Sequence, residues 1–306
     1  MRKNGIRHYQ KKRSKLVPVL LTALIVVILA AVVFVLVTKQ TKGSKKTETT
    51  TSLSAKDPTK TTSSNGYEPS SSIPVASGTA ELTEDTGGAQ WVQVKSATQT
   101  TKFTDLSNGS IKIIKANNPQ VLKTAVSTTT PAVLMADVVA RFPNTAIMNA
   151  SGFDMNTGFV ASFQINNGQL FRDWSSSTET TFVINKDGTC AAYDSSTPAS
   201  EILQKGAAMS FSFGGIIMKD GAIVPSDGSF DWKKHSLIGN DKDNNIYLIV
   251  TDTNYGYDGL LQAISGFNMQ NLVLMDGGGS SQLTLNGETL FPSEDNRAVP
   301  DYIVLK

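Results

Sequence analysis

The longest apolar run in the chain lies near its start, where Leu16–Val37 carries no charge over 22 residues. As a helix it would rise about 33 Å, enough to cross a bilayer core. Pro18 falls in the first turn, where a missing N–H does little harm. The apolar core of a cleaved signal peptide is shorter, roughly 7–15 residues. Val35-Leu36-Val37-Thr38-Lys39 also lacks a small-x-small cleavage pattern. The run therefore predicts an uncleaved signal anchor over residues 16–38. Between 39 and 88 large apolar residues become scarce and runs such as Thr49-Thr50-Thr51-Ser52 and Ser70-Ser71-Ser72 take over. Such a segment buries too little surface to offset its ordering entropy, so it reads as a flexible stalk.

From residue 89 to 306 the pattern alternates between two periods. Ile111–Ile114 reads as a strand. Thr181–Ile184 and Thr189–Tyr193 flank Asn185-Lys186-Asp187-Gly188 as a hairpin. Ser236–Ile238 and Ile246–Val250, joined through Asp241–Asn245, form a second. Leu283–Leu285 and Glu288–Phe291 meet across Asn286-Gly287, the strongest short hairpin signal. Two segments carry helical spacing, Ala132–Phe142 and Gly259–Phe267. Each runs into a short buried-looking strand (Thr145–Met148, Asn271–Met275) and then a turn of small residues, Asn149–Phe153 and Asp276–Ser280. The expected class is α+β, one mixed, largely antiparallel sheet with a few short helices. The helix–strand–turn device occurs twice, and turns at the carboxyl ends of strands are where ligands tend to bind in mixed α/β folds.

Charge changes the picture at one end. The chain has a formal charge of +2, but Arg2, Lys3, Arg7, Lys11, Lys12, Arg13 and Lys15 precede the apolar run with no acid among them, leaving −5 for the rest. A basic N-terminal flank places residues 1–15 in the cytoplasm and the 89–306 domain outside, at a bacterial cell surface. With the basic residues confined there, no nucleic-acid footprint is expected. Cys190 is the only cysteine, which excludes an intrachain disulfide and a thiolate zinc site. Of two histidines only His235 lies in the outer domain. No cofactor is expected, and the Asp-rich turn Asp241–Asn245 lacks the EF-hand spacing for calcium.

Three successive glycines in Asp276-Gly277-Gly278-Gly279-Ser280-Ser281 are conformationally costly unless the backbone needs positive φ or close approach to a ligand. Read as an anion-binding nest, their N–H groups would face a phosphate, with Ser280 and Ser281 adding hydroxyls. Asp276, ending an apolar strand, sits at the mouth. The Gly-Lys-Ser/Thr of a nucleotide P-loop is missing. His235 follows Lys233-Lys234 and reads as a solvated side chain. It is also the one outer histidine able to pair with Ser280, although no G-x-S-x-G elbow is present. Phe153, Phe159, Phe163 and Trp174 could stack on a sugar, with core packing as the default.

Four stretches in order resemble the phosphodiester glycosidase family, the family of the animal lysosomal uncovering enzyme. They are Ala146–Phe153, Ser236–Asp241, Leu274–Ser281 and Asn296-Arg297-Ala298-Val299-Pro300. The chain departs from the family's usual residues at His235-Ser236, Phe153-Asp154 and Asp252-Thr253. The resemblance implies hydrolysis between a sugar anomeric carbon and a phosphodiester oxygen, in a carbohydrate phosphodiester or anionic cell-wall polymer. Under it Asp276 and Asp252 form a catalytic carboxylate pair. Asn149, Gly152, Gly277, Gly278, Gly279, Ser280, Ser281, His235 and Arg297 bind substrate, Arg297 offering its planar fork to phosphate. Two alternatives remain open: a non-catalytic binding module for such polymers, and a phosphodiesterase that cleaves P–O.

Overall fold

The computed structural model describes residues 86–306, apart from 98–99, 227, 229 and 231–232. The expected cytoplasmic segment, anchor and nearly all of the stalk lie outside the described residues. Among those described, no helix is long and apolar enough to cross a membrane.

Two large sheets carry the domain. The first has the order β1 (Val92–Gln93), β4 (Gln120–Lys123), β18 (Tyr302–Leu305), β5 (Ala146–Asn149), β16 (Leu283–Leu285), β17 (Glu288–Phe291). The second runs β12 (Ala222–Ile223), β11 (Ile216–Lys219), β15 (Met269–Met275), β13 (His235–Asp241), β14 (Ile246–Thr251), β3 (Lys112–Asn117), β2 (Lys102–Asp105). A smaller sheet joins β10 (Ala207–Phe213), β8 (Thr180–Asn185) and β9 (Cys190–Asp194), and β6 (Gln164–Asn166) pairs with β7 (Gln169–Arg172). Each strand pair among the described residues is antiparallel, so the single mixed sheet expected from sequence is corrected to several antiparallel ones. The β-rich α+β class with few short helices holds.

Period-2 alternation decides the layers. Ile114, Met148, Ile238, Leu248, Val273 and Ile303 share one core that both large sheets line. Their neighbours Ile113, Leu237, Ile249 and Leu274 face the opposite side, under helix α3 (Tyr257–Ile264), which contributes Leu260 and Ile264. On the first sheet Ile147, Tyr302 and Val304 likewise face helix α1 (Met135–Arg141) through Met135 and Val138. With both faces covered, β5, β13, β14 and β18 are buried at every position, which explains the near-continuous apolar sequences of β14 and β18.

The Asn286-Gly287 hairpin forms with the expected strand ends, both turn residues taking positive φ (51° and 83°). Helix α1 starts later than its apolar spacing suggests. Val133 instead exchanges backbone hydrogen bonds with Val299 (3.0 and 3.1 Å), holding the preceding residues extended. Helix α3 runs from Tyr257 to Ile264, with Ser265 as its C-cap, rather than continuing to Phe267. Helix α2 (Ala199–Gln204) packs Ile202 beside Val183 in a satellite core.

Candidate active site

The two helix–strand–turn devices meet. Strand β5 belongs to the first large sheet and β15 to the second, yet the turns that follow them are hydrogen-bonded together. The Asp276 N–H donates to the Ala150 carbonyl (2.9 Å), and Asn149 Nδ2 donates to the Asp276 carbonyl (2.7 Å). Asn149 Oδ1 accepts from Ser236 Oγ (2.7 Å) and from the Gln282 N–H (3.0 Å). Asn149 is fully buried, so the expected sugar contact is corrected. It clamps the backbone on either side of the Asp276 side chain and acts as a positioning residue.

Each of the three glycines has its own reason. A Cβ on Gly277 would lie 2.7 Å from the Lys234 carbonyl; Gly278 sits at φ 62°; a Cβ on Gly279 would lie 2.8 Å from the Arg297 guanidinium. The run folds as a 3-10 turn at Gly278–Ser280. Its amides are consumed locally: Gly278 N–H donates to Lys234 O (2.9 Å), Ser280 N–H to Gly277 O (3.3 Å), Ser281 N–H to Gly278 O (3.2 Å). Gly277 N–H donates to Asp276 Oδ1 (3.1 Å). The N–H groups of Gly277, Gly278, Ser280 and Ser281 are thus paired within the protein rather than turned to a ligand, as the expected phosphate nest would need. Ser281 is buried behind the turn, its hydroxyl unpartnered among the described residues, and the Ser280 hydroxyl bonds the Asp276 carboxylate.

That carboxylate faces a cleft of about 660 Å³. Phe213–Gly215, Lys233–His235, Leu274–Gly278 and Thr178 line it, and Asp276 is the one acid among them. Burial pushes Asp276 up to about 6, against the opposing pull of the Ser280 hydroxyl, the Gly277 amide and the charge of Arg297. Desolvation wins because a half-buried carboxylate loses more hydration than two hydrogen bonds and a distant cation restore.

The expected second carboxylate, Asp252, does not line this cleft. Asp252 follows β14, and in the register Thr251 pairs with His235 while Ser236 pairs with Met275. That puts it two strands from Asp276, roughly 10 Å at the usual strand spacing. Its oxygens close an Asx turn on the Asn254 N–H (2.9 Å) and Nδ2 (2.6 Å). His235 is buried rather than solvated. Its ring stacks on Phe230 (centroids 4.1 Å apart), and Nε2, facing the Phe230 carbonyl at 2.6 Å, must carry the proton because a carbonyl only accepts. With Nε2 and the Ser280 hydroxyl so committed, a Ser/His pair is not what this geometry builds.

Cations surround the mouth. Lys233 is exposed and has no ion-pair partner among the described residues; Lys234 reaches Glu294 at 3.3 Å. Arg297 lies against Gly279 and pairs with Asp295 (2.7 Å), while its charge still pulls the Asp276 pKa down. Gly152 owes its identity to the Phe213 ring, 2.4 Å from where a Cβ would sit. Phe163 and Trp174 stack on each other (4.1 Å), so Phe163 is core. Asp241 is filled by donors: Asn245 through N–H (2.9 Å) and Nδ2 (2.8 Å), Tyr247 Oη (3.1 Å) and Lys115 Nζ (3.2 Å).

Beneath the cleft lies an ion pair that sequence reading missed. Lys123 and Asp301 are both fully buried and in contact; Lys123 Nζ also donates to Ser151 Oγ (3.2 Å), and Asp301 Oδ1 accepts the Ala125 N–H (3.1 Å). Burial pushes the Lys123 ammonium down, against the pull of Asp301. The pair ties the turn after β5 to the segment after Arg297-Ala298-Val299-Pro300. Asp301, directly after that motif, was the available signal.

Fold and cleft together define a β-rich α+β domain that presents a single acid, Asp276, in a cleft beside the meeting turns of its two large sheets. Residues 144–306, just over half of the chain, match the family described as "NAGPA: Phosphodiester glycosidase", and the chain belongs to the phosphodiester glycosidase family. A solved structure, the zebrafish N-acetylglucosamine-1-phosphodiester alpha-N-acetylglucosaminidase catalytic domain auto-inhibited by its pro-peptide, shares the fold. Its TM-score is 0.55 at 17% identity, covering 71% of this chain and 87% of that one. The SPbeta prophage-derived protein YomE of Bacillus subtilis (strain 168) is 31% identical over 179 residues, 52% of this chain and 27% of that protein. The chain thus spans about a quarter of that curated relative's length.

Proposed function

We propose that this hydrolase cleaves the bond between the anomeric carbon and phosphate oxygen of sugar-1-phosphodiesters, in cell-wall or capsular polysaccharide. The observation that carries the reading is the lone cleft carboxylate, Asp276, held at about 6 beside Lys233 and Lys234. Ionised Asp276 takes a proton from water as the water oxygen bonds to the anomeric carbon. The C–O electron pair departs with the phosphate. A phosphate monoester has a second pKa of about 6 and leaves without protonation, so one carboxylate suffices where ordinary glycosides need two. Lys233, Lys234 and Arg297 meet the phosphate charge, replacing the nest expected from sequence. Asn149 and Gly277 hold Asp276 in place.

The chemistry named for the zebrafish relative makes an N-acetylglucosamine-1-phosphodiester the first probe. Release of free sugar, lost in Asp276→Asn, supports the reading. Saturable binding without turnover would leave a recognition module instead. Hydrolysis in ¹⁸O-water settles the bond: label in the sugar means C–O cleavage, and label in phosphate overturns the mechanism in favour of P–O attack. The basic segment 1–15, anchor 16–38 and stalk 39–88 place residues 89–306 on the outer face of the cell membrane in this proposal. Protease treatment of intact cells should remove the domain.

A further inference from the structure

The loop between β17 and β18 sets two neighbouring acids on two of the cations at the cleft mouth. Glu294 reaches Lys234 at 3.3 Å. Asp295 Oδ2 accepts from Arg297 through both Nη2 (2.7 Å) and Nε (3.1 Å). The side chains of Lys234 and Arg297 are only 26% and 30% exposed, against 64% for Glu294 and 50% for Asp295. The cations are set into the surface, and the acids stand on the solvent side of each pair.

The backbone that carries the acids is fixed to the glycine turn. Ser293 Oγ donates to the Gly279 carbonyl (2.7 Å) and accepts the Arg297 N–H (3.0 Å). Gln282 Nε2 donates to the Arg297 carbonyl (3.4 Å). Rotation of the two acid side chains is then enough to uncover the cations. Neither acid is held tightly, since an exposed ion pair is worth a factor of about 1.5 to 5 in an equilibrium constant. A phosphodiester carries one negative charge, while the monoester released from it carries nearly two above its second pKa of about 6. Bare cations would therefore hold the product more tightly than the substrate.

We propose that Glu294 and Asp295 are resident counter-ions, which yield Lys234 and Arg297 to the substrate phosphate and reclaim them as the phosphate product leaves. The inference rests on the phosphodiester hydrolase reading above. A fixed negative charge repels a dianion about twice as strongly as a monoanion at the same distance. The acids thus weaken product binding more than substrate binding.

The test measures binding to the full-length chain by calorimetry at pH 8 and low salt. Dimethyl phosphate stands for the substrate diester and methyl phosphate for the product monoester. E294Q and D295N, nearly isosteric changes at exposed positions, should each tighten methyl phosphate about twofold to fivefold and dimethyl phosphate by less. A double-mutant cycle separates direct pairing from a general field. In K234M, which keeps Lys233 and Arg297 for the anion, the gain from E294Q should vanish. No gain, equal gains for the two esters, or an E294Q gain that persists in K234M overturns the counter-ion role. Turnover of an N-acetylglucosamine-1-phosphodiester by wild type leaves the hydrolase reading intact in each of those cases. Wild type that neither turns over that diester nor binds either methyl ester overturns the hydrolase reading, and the counter-ions with it.

Discussion

Replacing Asp276 by Asn should abolish most activity and make the protein more stable at neutral pH. In the folded domain burial holds this carboxyl at about 6, against an ordinary 3.8. Between those values the folded state binds more protons than the unfolded one, so wild-type stability falls as pH rises through the window, and the full cost is present above about 6. At about 1.36 kcal/mol per pK unit the shift corresponds to roughly 3 kcal/mol, reduced to about 1–3 for a group that keeps some solvent. Asn retains the geometry: its Oδ1 accepts the Gly277 N–H, and its Nδ2 turns toward the Ser280 hydroxyl. Urea denaturation at pH 8 should show the variant more stable by that amount, a melting shift of roughly 3–8 °C for a domain of this size. At pH 3.5 the difference should vanish, since both side chains are then neutral. Loss of a catalytic base should cost about 10²–10⁴ in kcat. A variant no more stable than wild type at pH 8, or one whose gain is the same at pH 4 and pH 8, refutes the reasoning.

The remaining predictions concern the same neighbourhood. For wild type, kcat/KM should rise with pH through about 6 and then level, because Asp276 must be ionised; a falling limb at that pH would make Asp276 an acid instead. Arg297→Ala removes a charge that lowers the Asp276 pKa, so this limb should move to higher pH while KM rises. Lys123→Met leaves Asp301 as an uncompensated buried charge and should cost about 3–5 kcal/mol by chemical denaturation, part of which Lys123→Met/Asp301→Leu recovers. Gly278→Ala should cost roughly 1–2 kcal/mol from its left-handed backbone alone, with open space around the new methyl. Gly277→Ala should cost more, and should lower kcat, because its Cβ meets the Lys234 carbonyl.

Local chemistry made some of the fold legible. The hairpin around Asn286-Gly287 was readable to the residue because a two-residue turn with both φ positive is a property of those residues alone. The start of α1 was not, because a partner 166 positions away, Val299, competes for the Val133 backbone. Among the expected site residues, Asp276, Gly277 and Gly278 do line the cleft. What the glycines do was misread, since the destination of an amide such as that of Gly278 depends on Lys234, which reaches it through tertiary packing. The same holds for Asp252, whose distance from Asp276 depends on strand order. Lys233 and Lys234 were visible as charges and were given no role in the site. Phe213 carried only a faint signal, an aromatic before two glycines.

The mutual clamp between the turns of β5 and β15 has a temporal consequence. The bond from Asn149 to the Asp276 main chain spans 127 positions, and the Lys123–Asp301 pair beneath it spans 178. Loops of such length close late, after local hairpins have formed. Asp276 is therefore aimed only once β18 has inserted between β4 and β5. A chain still emerging from the ribosome would carry Asp276 without the partners that aim it. Completion of folding is itself the activating step.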